Sequence, residues 1–267
     1  MVFIPAYTIT IKNPIDVPVV VIGLDTELGM QEETVKLVDF LKQENISITF
    51  FVNGDFIEQN EEVAERIANS NNEFASHSHV HLKHVGLGKL QQGMLISAQK
   101  ALVEKKFNIK ETGFRAPYRL IDSDTLKILY EQGFKYSADY HCHGHLFIFP
   151  LSKHIAQHPT SCSKDSFIYI FPEIFGYTID DDFLFRHCKL SEEKALAITK
   201  EAFDRAVKKK EIFIFSGHPG LIWKKIDYFS DFIEYAKSNN AVFLTHAQLQ
   251  ELIEKNPEIV RIKRMLF

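Results

Sequence analysis

The segment His77–His81 has the form His-Ser-x-x-His, which places two imidazole side chains four residues apart. At this spacing His77 and His81 can bind one metal ion from the same side, and neutral imidazole is the commonest protein ligand for zinc-like metals. The segment directly follows Glu73–Ser76, a short run of strand length. Because active-site residues of α/β proteins gather at the carboxyl ends of strands, this position favours a metal site over a pair of solvated loop histidines.

Other residues with catalytic chemistry follow other apolar runs in the same way. Asp25 and Glu27 end the first long run, Arg115 and Tyr118 follow a later one, and His218 follows one near the end of the chain. The carboxyl ends of parallel strands in a barrel converge on one mouth. A carboxylate, two histidines, an arginine and a further histidine in that mouth predict a hydrolytic metal site, because a bound metal acidifies water and polarises a carbonyl.

The elements that must position these residues alternate along the chain. Apolar runs of strand length are separated by segments with helical periodicity, which predicts an α/β fold with a parallel sheet covered by helices. Six to eight such units favour a barrel over an open sheet. The stretch 140–182 breaks the pattern and predicts long loops or an extra hairpin near the site. The predicted strands are Val19–Leu24, Ile46–Val52, Glu73–Ser76, Thr112–Arg115, Phe134–Ala138, Phe167–Phe171, Ile212–Ser216 and Ala241–Leu244.

Length and composition exclude several classes of protein. The 267 residues are 45% hydrophobic and suit one domain spanning 1–267, with a core of about 19–254. The formal net charge of −4 gives no basic footprint for nucleic acid. The run Val19–Leu24 is too short to span a bilayer, and no signal peptide is visible. Cys142, Cys162 and Cys188 form no CxxC pair, so we expect no disulfide framework and a cytoplasmic location.

Four ordered motifs carry a resemblance to a known family. They are Thr49–Gly54, Glu73–His81, Phe114–Tyr118 and Phe213–Pro219. Through them the chain resembles the polysaccharide deacetylases, the NodB-homology superfamily of carbohydrate esterase family four, over about 19–254. The resemblance implies a distorted (β/α) barrel with about seven parallel strands. The His-Pro form of the last motif resembles the peptidoglycan-deacetylase and allantoinase-like branch.

The first family motif departs from its usual form and can be aligned in two registers. The family has Asp-Asp or Asp-x-Asp, the first acid being the base and the last a metal ligand, whereas this chain has Gly23-Leu-Asp-Thr-Glu27. In one register Asp25 is the base and Glu27 the ligand. In the other, which we favour for metal binding, Asp25 is the ligand, Gly23 has replaced the base, and Glu27 is the nearest substitute base. Asp25 belongs to the site in both registers.

The resemblance implies a role for each matching residue. One divalent cation is expected on Asp25, His77 and His81; zinc is the first choice, with cobalt, nickel, manganese and iron as alternatives. Arg115 would hold the catalytic carboxylate ionised, since a nearby opposite charge lowers a carboxylate pKa. His218 as imidazolium would protonate the leaving amine.

The expected substrate surface includes residues in or near the motifs Phe114–Tyr118 and Phe213–Pro219. Pro117 and Tyr118 are predicted to contact substrate, with the Tyr118 backbone N–H as the implied oxyanion donor. Trp223 either stacks on a sugar ring or packs inside the protein. The cluster His141–His145 could form a second metal site, although its irregular spacing favours an ordinary loop.

These roles predict a hydrolase that removes an N-acyl group from an amino sugar or glycan, and acetyl is the acyl group that we expect first. Two alternatives stay open. The segment Tyr136–His145 distantly resembles the branch containing the formamido-arabinose lipid deformylase, so a lipid-linked sugar deformylase or a cyclic-amide hydrolase is possible. The glycine at position 23 makes a non-catalytic carbohydrate-binding relative the other alternative, because fold does not fix function.

Overall fold

The strands that carry the candidate site lie side by side in one sheet. The structure, a computed structural model, describes residues 6–141, 145–150 and 178–265. In this part of the chain the strands are β1 (Ala6–Ile11), β2 (Val19–Thr26), β3 (Thr49–Val52), β4 (Glu73–Ser76), β5 (Gly113–Phe114), β6 (Tyr136–His141), β7 (His145–Pro150), β8 (Thr178–Asp180), β9 (Phe213–Gly217), β10 (Val242–Leu244) and β11 (Val260–Met265). Nine of them form a sheet with the order β7-β6-β5-β4-β3-β2-β9-β8, in which β10 also pairs with β2, and β1 and β11 form a separate pair.

Helices follow most of these strands. Short 3₁₀ turns at Pro117–Arg119 and Pro257–Ile259 and a π-helical turn at Asp182–His187 complete the described elements. The α-helices are α1 (Gln31–Gln43), α2 (Gly54–Gln59), α3 (Glu61–Ala68), α4 (Lys89–Phe107), α5 (Ser123–Glu131), α6 (Glu192–Lys209), α7 (Pro219–Lys224), α8 (Ile226–Ser238) and α9 (His246–Lys255).

The register of the sheet brings the carboxyl ends of its central strands to one edge. Every residue of β2 is buried, as expected for a strand with neighbours on both sides. Asp25 pairs with Phe51 of β3, and Leu24 pairs with Gly217 of β9. Val52 of β3 in turn pairs with Ser76, the last residue of β4. The residues that follow β2, β4, β5 and β9 therefore project from the same edge of the sheet.

A large apolar core lies between the sheet and helices on one face. Val20, Ile22 and Leu24 of β2 contribute the alternate residues that face this core. Phe203 and Phe232 pack edge to face, with ring centroids 6.2 Å apart, a geometry that adds to the free energy of simple burial. This core fixes β2 and β9, and hence the edge of the sheet at which their polar residues lie.

The predicted α/β fold is confirmed. The strands pair in parallel except for β6 with β7 and β1 with β11, and the parallel strands form a curled half-barrel, which matches the distorted barrel. The sequence Thr245-His-Ala-Gln248 has the form of a capping box and makes one at the start of α9. The Thr245 side chain accepts from the Gln248 backbone N–H, and the Gln248 side chain accepts from Thr245 N. In the described residues no helix is long and apolar enough to cross a membrane.

Some sequence expectations differ from the structure. The helical periodicity over 58–68 predicts one helix, but this stretch is divided between two helices, α2 and α3, because Asn60 between them has φ −139° and ψ 51°. The antiparallel pairing of β1 with β11 and the short helix α7 were not predicted, since each is too short or too close to a terminus to show a clear period. The predicted strand Phe167–Phe171 lies outside the described residues.

The core packing gives a stability prediction. Phe232→Ala removes a fully buried ring and should lower the free energy of unfolding by about 3–5 kcal/mol. Leu90→Ala, at a side chain that is 77% exposed, is the matched control and should change it by less than about 0.5 kcal/mol. Urea unfolding followed by circular dichroism measures both. Equal losses in the two variants would contradict the described core.

Candidate active site

Three ligand-type side chains meet at the carboxyl edge of the sheet. Glu27 Oε1 lies 2.9 Å from His81 Nε2 and 3.4 Å from His77 Nε2. One ligand atom from each residue lies within 4.8 Å of the other two. Burial would raise the pKa of Glu27, but the neighbouring imidazoles outweigh it and lower that pKa to about 2. Glu27 therefore provides a carboxylate, and His77 and His81 provide two nitrogens.

The ring of His77 is oriented for a cation. His77 is buried, and its Nδ1 lies 2.8 Å from the Arg115 carbonyl oxygen, to which it can only donate. In its neutral form the ring therefore carries a lone pair on Nε2, the atom that faces Glu27. That Nε2 is buried and makes no hydrogen bond, which fits an atom reserved for a ligand. Two nitrogens and one carboxylate are a donor set that suits a catalytic zinc-type ion.

The backbone around the two histidines is fixed by hydrogen bonds from α2 and β3. Ser78 adopts a left-handed conformation, with φ +64°. The Asn53 side-chain amide donates to the carbonyl oxygens of His77 and Ser78, at 3.3 and 3.1 Å. His77 N in turn donates to Val52 O at 3.0 Å. The loop is therefore tied to the end of β3, and both imidazoles face the end of β2.

The Asp25 carboxylate forms ion pairs with two arginines. Arg115 Nη1 donates to Asp25 Oδ1 at 2.7 Å, and Arg119 Nε and Nη2 both donate to Oδ2 at 3.3 Å. Asp25 is 3% exposed, and burial alone would raise its pKa, but Arg115 and Arg119 hold the pKa of Asp25 well below its usual range. The carboxylate that meets His77 is that of Glu27, so the geometry favours the register in which Asp25 is the base and Glu27 the ligand. Our preference for Asp25 as the third ligand stays a prediction that a metal-bound structure can test.

Arg115 is fully buried and makes contacts on every side. Its Nε donates to Ala138 O at 2.9 Å, and Nη1 also reaches Gly23 O and Ser216 Oγ, both at 3.2 Å. The guanidinium lies 4.0 Å from the centroid of the Phe51 ring. Arg115 binds the buried Asp25 carboxylate, which is the contact that the resemblance implies.

Gly23 leaves no room for a side chain. A Cβ there would lie 2.5 Å from His246 Cε1 and 2.8 Å from both Arg115 Nη2 and Phe51 Cε2. Real Cβ atoms do not come this close to ring atoms. The backbone at position 23 is therefore packed directly against the arginine that binds Asp25.

His218 forms a pair with Asp181, a residue that the sequence analysis missed. Asp181 Oδ1 lies 3.0 Å from His218 Nδ1, and Oδ2 accepts from His218 N at 2.8 Å. Burial alone would lower the pKa of His218, but the hydrogen bond and charge of Asp181 raise it to about 9. Burial raises the pKa of Asp181 itself to about 6. A Cβ on Gly217 would lie 2.7 Å from Asp181, so glycine there permits the close approach.

The signal for Asp181 was present but ambiguous. Asp180 ends β8, and Asp181 and Asp182 directly follow it, so these acids lie at a strand end as Asp25 does. They fall in the stretch 140–182, whose irregular pattern predicted loops. Asp180 pairs with Arg119, a second residue that the sequence analysis missed, so Asp180 and Asp181 both reach the site.

The predicted substrate residues lie in different environments. Tyr118 is 59% exposed, has φ +59°, and its ring lies 4.7 Å from that of His81. Pro117 before it is buried. Trp223 of α7 is only partly exposed, packs against the main core, and has Lys36 Nζ 6.0 Å from its ring centroid. The contacts of Trp223 indicate packing, and its stacking on a sugar stays a prediction.

Other histidines lie outside this group. His79 faces away, 3.9 Å from Glu58, and His84 is buried with its Nε2 2.9 Å from Ser78 Oγ. Cys188 is a free, exposed cysteine. For the cluster His141–His145, residues 142–144 and the flanking side chains lie outside the described part, so a second metal site there stays untested.

Comparisons with known proteins agree with this fold. Residues 12–137 match the family model described as polysaccharide deacetylase. No curated protein matches the chain. A protein assigned as a polysaccharide deacetylase in Mycobacterium smegmatis is 17% identical, with a TM-score of 0.70 over 96% of both chains.

Two further solved structures share the fold. The Bc1960 peptidoglycan N-acetylglucosamine deacetylase is 17% identical, with a TM-score of 0.59 over 88% of this chain and 89% of that one. BA3943 of Bacillus anthracis, a pseudoenzyme of carbohydrate esterase family four, is 15% identical, with a TM-score of 0.60 over 88% of this chain and 66% of that one. The match of residues 12–137 to this family model and the shared fold support the predicted resemblance to the polysaccharide deacetylase, or NodB-homology, superfamily.

Proposed function

We propose that the chain is a metal-dependent carbohydrate N-deacetylase that hydrolyses the acetamido group of an amino sugar or glycan. One observation carries the proposal. Glu27, His77 and His81 lie beside an ionised Asp25 and near the Asp181–His218 pair, all at one edge of the sheet. The match of residues 12–137 to the polysaccharide deacetylase family model supports a carbohydrate substrate.

The three-residue group would hold one divalent cation, with zinc as the first choice. When bound, such a cation lowers the pKa of a coordinated water and polarises the substrate carbonyl. The lone pair on His77 Nε2 and the Glu27 carboxylate supply the donors. The Arg115 carbonyl fixes the tautomer of His77, as partners of metal-binding imidazoles commonly do.

Asp25 would accept the proton of the attacking water as the new carbon–oxygen bond forms. The two arginines keep this carboxylate ionised and fixed in orientation. The same contacts make Asp25 a weak base, since a low pKa reduces the driving force for proton abstraction. We therefore expect a modest rate.

His218 would donate its proton to the nitrogen as the carbon–nitrogen bond breaks. Asp181 holds Nδ1, which leaves Nε2 as the nitrogen that can face the substrate. The Tyr118 backbone N–H would donate to the developing oxyanion, and its left-handed conformation sets the direction of that N–H. The products are a free amino sugar and acetate.

The pseudoenzyme among the structural neighbours favours one alternative, a carbohydrate-binding protein without turnover. A mutant of BA3943, with a TM-score of 0.60 to this chain, is described as having restored enzymatic activity. In this chain glycine stands at position 23, where one register puts the base. The space at Gly23 argues against that register, because a side chain there would overlap Arg115 and His246.

The direct test is detection by mass spectrometry of the acid released from N-acetyl and N-formyl amino sugars and their oligomers. The zinc-loaded protein should release acetate, whereas formate would favour the deformylase alternative.

Glu27→Ala should lose zinc affinity by at least about 100-fold, whereas Asp25→Asn should keep zinc and lose turnover. His79→Ala, in the same segment between His77 and His81, is the matched control. Zinc loss in Asp25→Asn and not in Glu27→Ala would contradict the ligand assignment.

The Asp181–His218 pair predicts the basic limb of the pH profile. His218 must be protonated to act, so kcat/KM should fall as pH rises through about 9. Asp181→Asn removes the charge that raises the pKa of His218, so the limb should move towards the ordinary value of about 6.5. Steady-state kinetics between about pH 5 and 10 measure the shift. An unmoved limb would show that another group sets it.

A single substitution separates the enzyme from the binding protein. Gly23→Asp should destabilise the fold and abolish turnover, because its Cβ would overlap His246 and Arg115. Gly93→Asp is the matched control, since a Cβ at that helical position meets nothing within 4 Å. If Gly23→Asp instead creates or raises activity, Gly23 is a lost base and the binding protein is the better description.

A further inference from the structure

His246 lies directly behind the arginine that binds Asp25. It is the first residue of α9 and is completely buried. Its Nε2 is 3.5 Å from Arg115 Nη2, at the upper limit of a hydrogen bond, and its Cε1 fills the space beside Gly23. No feature of the superfamily motifs in the sequence pointed to this residue.

The hydrogen bonds around Thr49 determine which ring nitrogen of His246 carries the proton. The Thr49 hydroxyl has one hydrogen, and it donates to Glu73 Oε2 at 2.8 Å. Thr49 Oγ1 must therefore accept from His246 Nδ1, 3.0 Å away, as it does from His246 N at 2.8 Å. With the proton on Nδ1, the lone pair of the neutral ring is on Nε2, and it faces Arg115.

The surroundings keep this imidazole neutral. Burial lowers the pKa of His246 well below its usual range, and the Arg115 charge lowers it further, while Asp25 opposes them more weakly. The position at the start of α9 adds to this, because the positive end of the helix dipole disfavours a cation there. A neutral ring can accept from a guanidinium, whereas an imidazolium would repel it.

Aromatic rings and a buried carboxylate hold His246 in place. Its ring stacks on Tyr136, with centroids 6.0 Å apart and an interplanar angle of 19°, and meets the edge of Phe51 at 5.2 Å. Glu73 anchors the far end of the network, where it accepts from Tyr136 OH at 2.6 Å and from Ala247 N at 2.8 Å. The acceptor is therefore rigid, and it sets where the Arg115 guanidinium lies.

We propose that His246 is a positioning residue, whose Nε2 lone pair accepts from Arg115 Nη2 and so holds the guanidinium on the Asp25 carboxylate. The role rests on the proposed function, because it acts on hydrolysis through Asp25. His246 touches neither the metal-binding group nor the substrate, so its loss should change kcat while KM and metal content stay the same.

The first test needs no turnover. Long-range ¹H–¹⁵N spectra of zinc-loaded protein labelled with ¹⁵N-histidine report the protonation of each ring nitrogen, and the signal missing in His246→Gln assigns His246. The expected result is an Nδ1–H ring with unprotonated Nε2 that does not titrate between about pH 5 and 9. A ring with Nε2–H, or one that titrates near its ordinary value, would overturn the proposal.

The second test compares two substitutions at the same position. His246→Leu removes the acceptor and should lower kcat by about 10- to 100-fold with KM and zinc content unchanged. His246→Gln keeps an oxygen acceptor at a similar reach and should recover most of that loss. Gln248→Ala weakens the same helix start without touching Arg115, and it should leave kcat unchanged.

The outcomes distinguish this proposal from the proposed function. Equal loss of kcat in His246→Leu and His246→Gln, or a similar loss in Gln248→Ala, would show that His246 serves only to pack α9. If the wild-type protein releases no acid, the proposed function fails, and the ¹⁵N spectra still decide whether His246 is a neutral acceptor for Arg115.

Discussion

The buried ion pair between Arg115 and Asp25 constrains most of the site around it. The guanidinium is fully buried and the carboxylate nearly so, and removal of one partner from such a pair typically costs about 3–5 kcal/mol. The pair is stabilised because the remaining guanidinium hydrogens reach Gly23 O, Ala138 O and Ser216 Oγ. These contacts come from three different strands, so the pair forms only when the sheet is assembled.

The requirement to bury Arg115 explains why position 23 is glycine. The guanidinium crosses the face of β2 at position 23, and only a residue without a side chain leaves room for it between Phe51 and His246. Glycine at that position therefore has a structural reason that is independent of any lost base. The carboxylate that faces the arginine is then Asp25, and Glu27 is the next residue on the same side of the extended chain.

Two charged pairs, Arg115–Asp25 and Asp181–His218, shift the pKa values of Asp25 and His218 in opposite directions. Arginines hold the pKa of Asp25 low, and a buried carboxylate raises the pKa of His218 to about 9. Environments that move two pKa values apart are typical of acid–base pairs in hydrolases. Both shifts follow from residues that lie just after β5 and β8, and the sheet holds those two strands in fixed register.

The sequence predicted the parts of the site that depend on strand ends and left open those that depend on the reach of side chains. His77, Arg115 and His218 follow apolar runs, and parallel pairing brings them together as expected. The choice between Asp25 and Glu27 depends on which carboxylate an arginine occupies, a contact between residues 90 positions apart. Asp181 and His246 were missed because no local pattern distinguishes them from an ordinary acid after a strand and an ordinary helix start.

The most direct test is a crystal structure of the zinc-loaded protein, with anomalous scattering to locate the ion. We predict that Glu27 and the Nε2 atoms of His77 and His81 coordinate the zinc, while Asp25 stays on Arg115. Zinc bound by Asp25, with Glu27 turned away and the ion pair with Arg115 broken, would contradict this account.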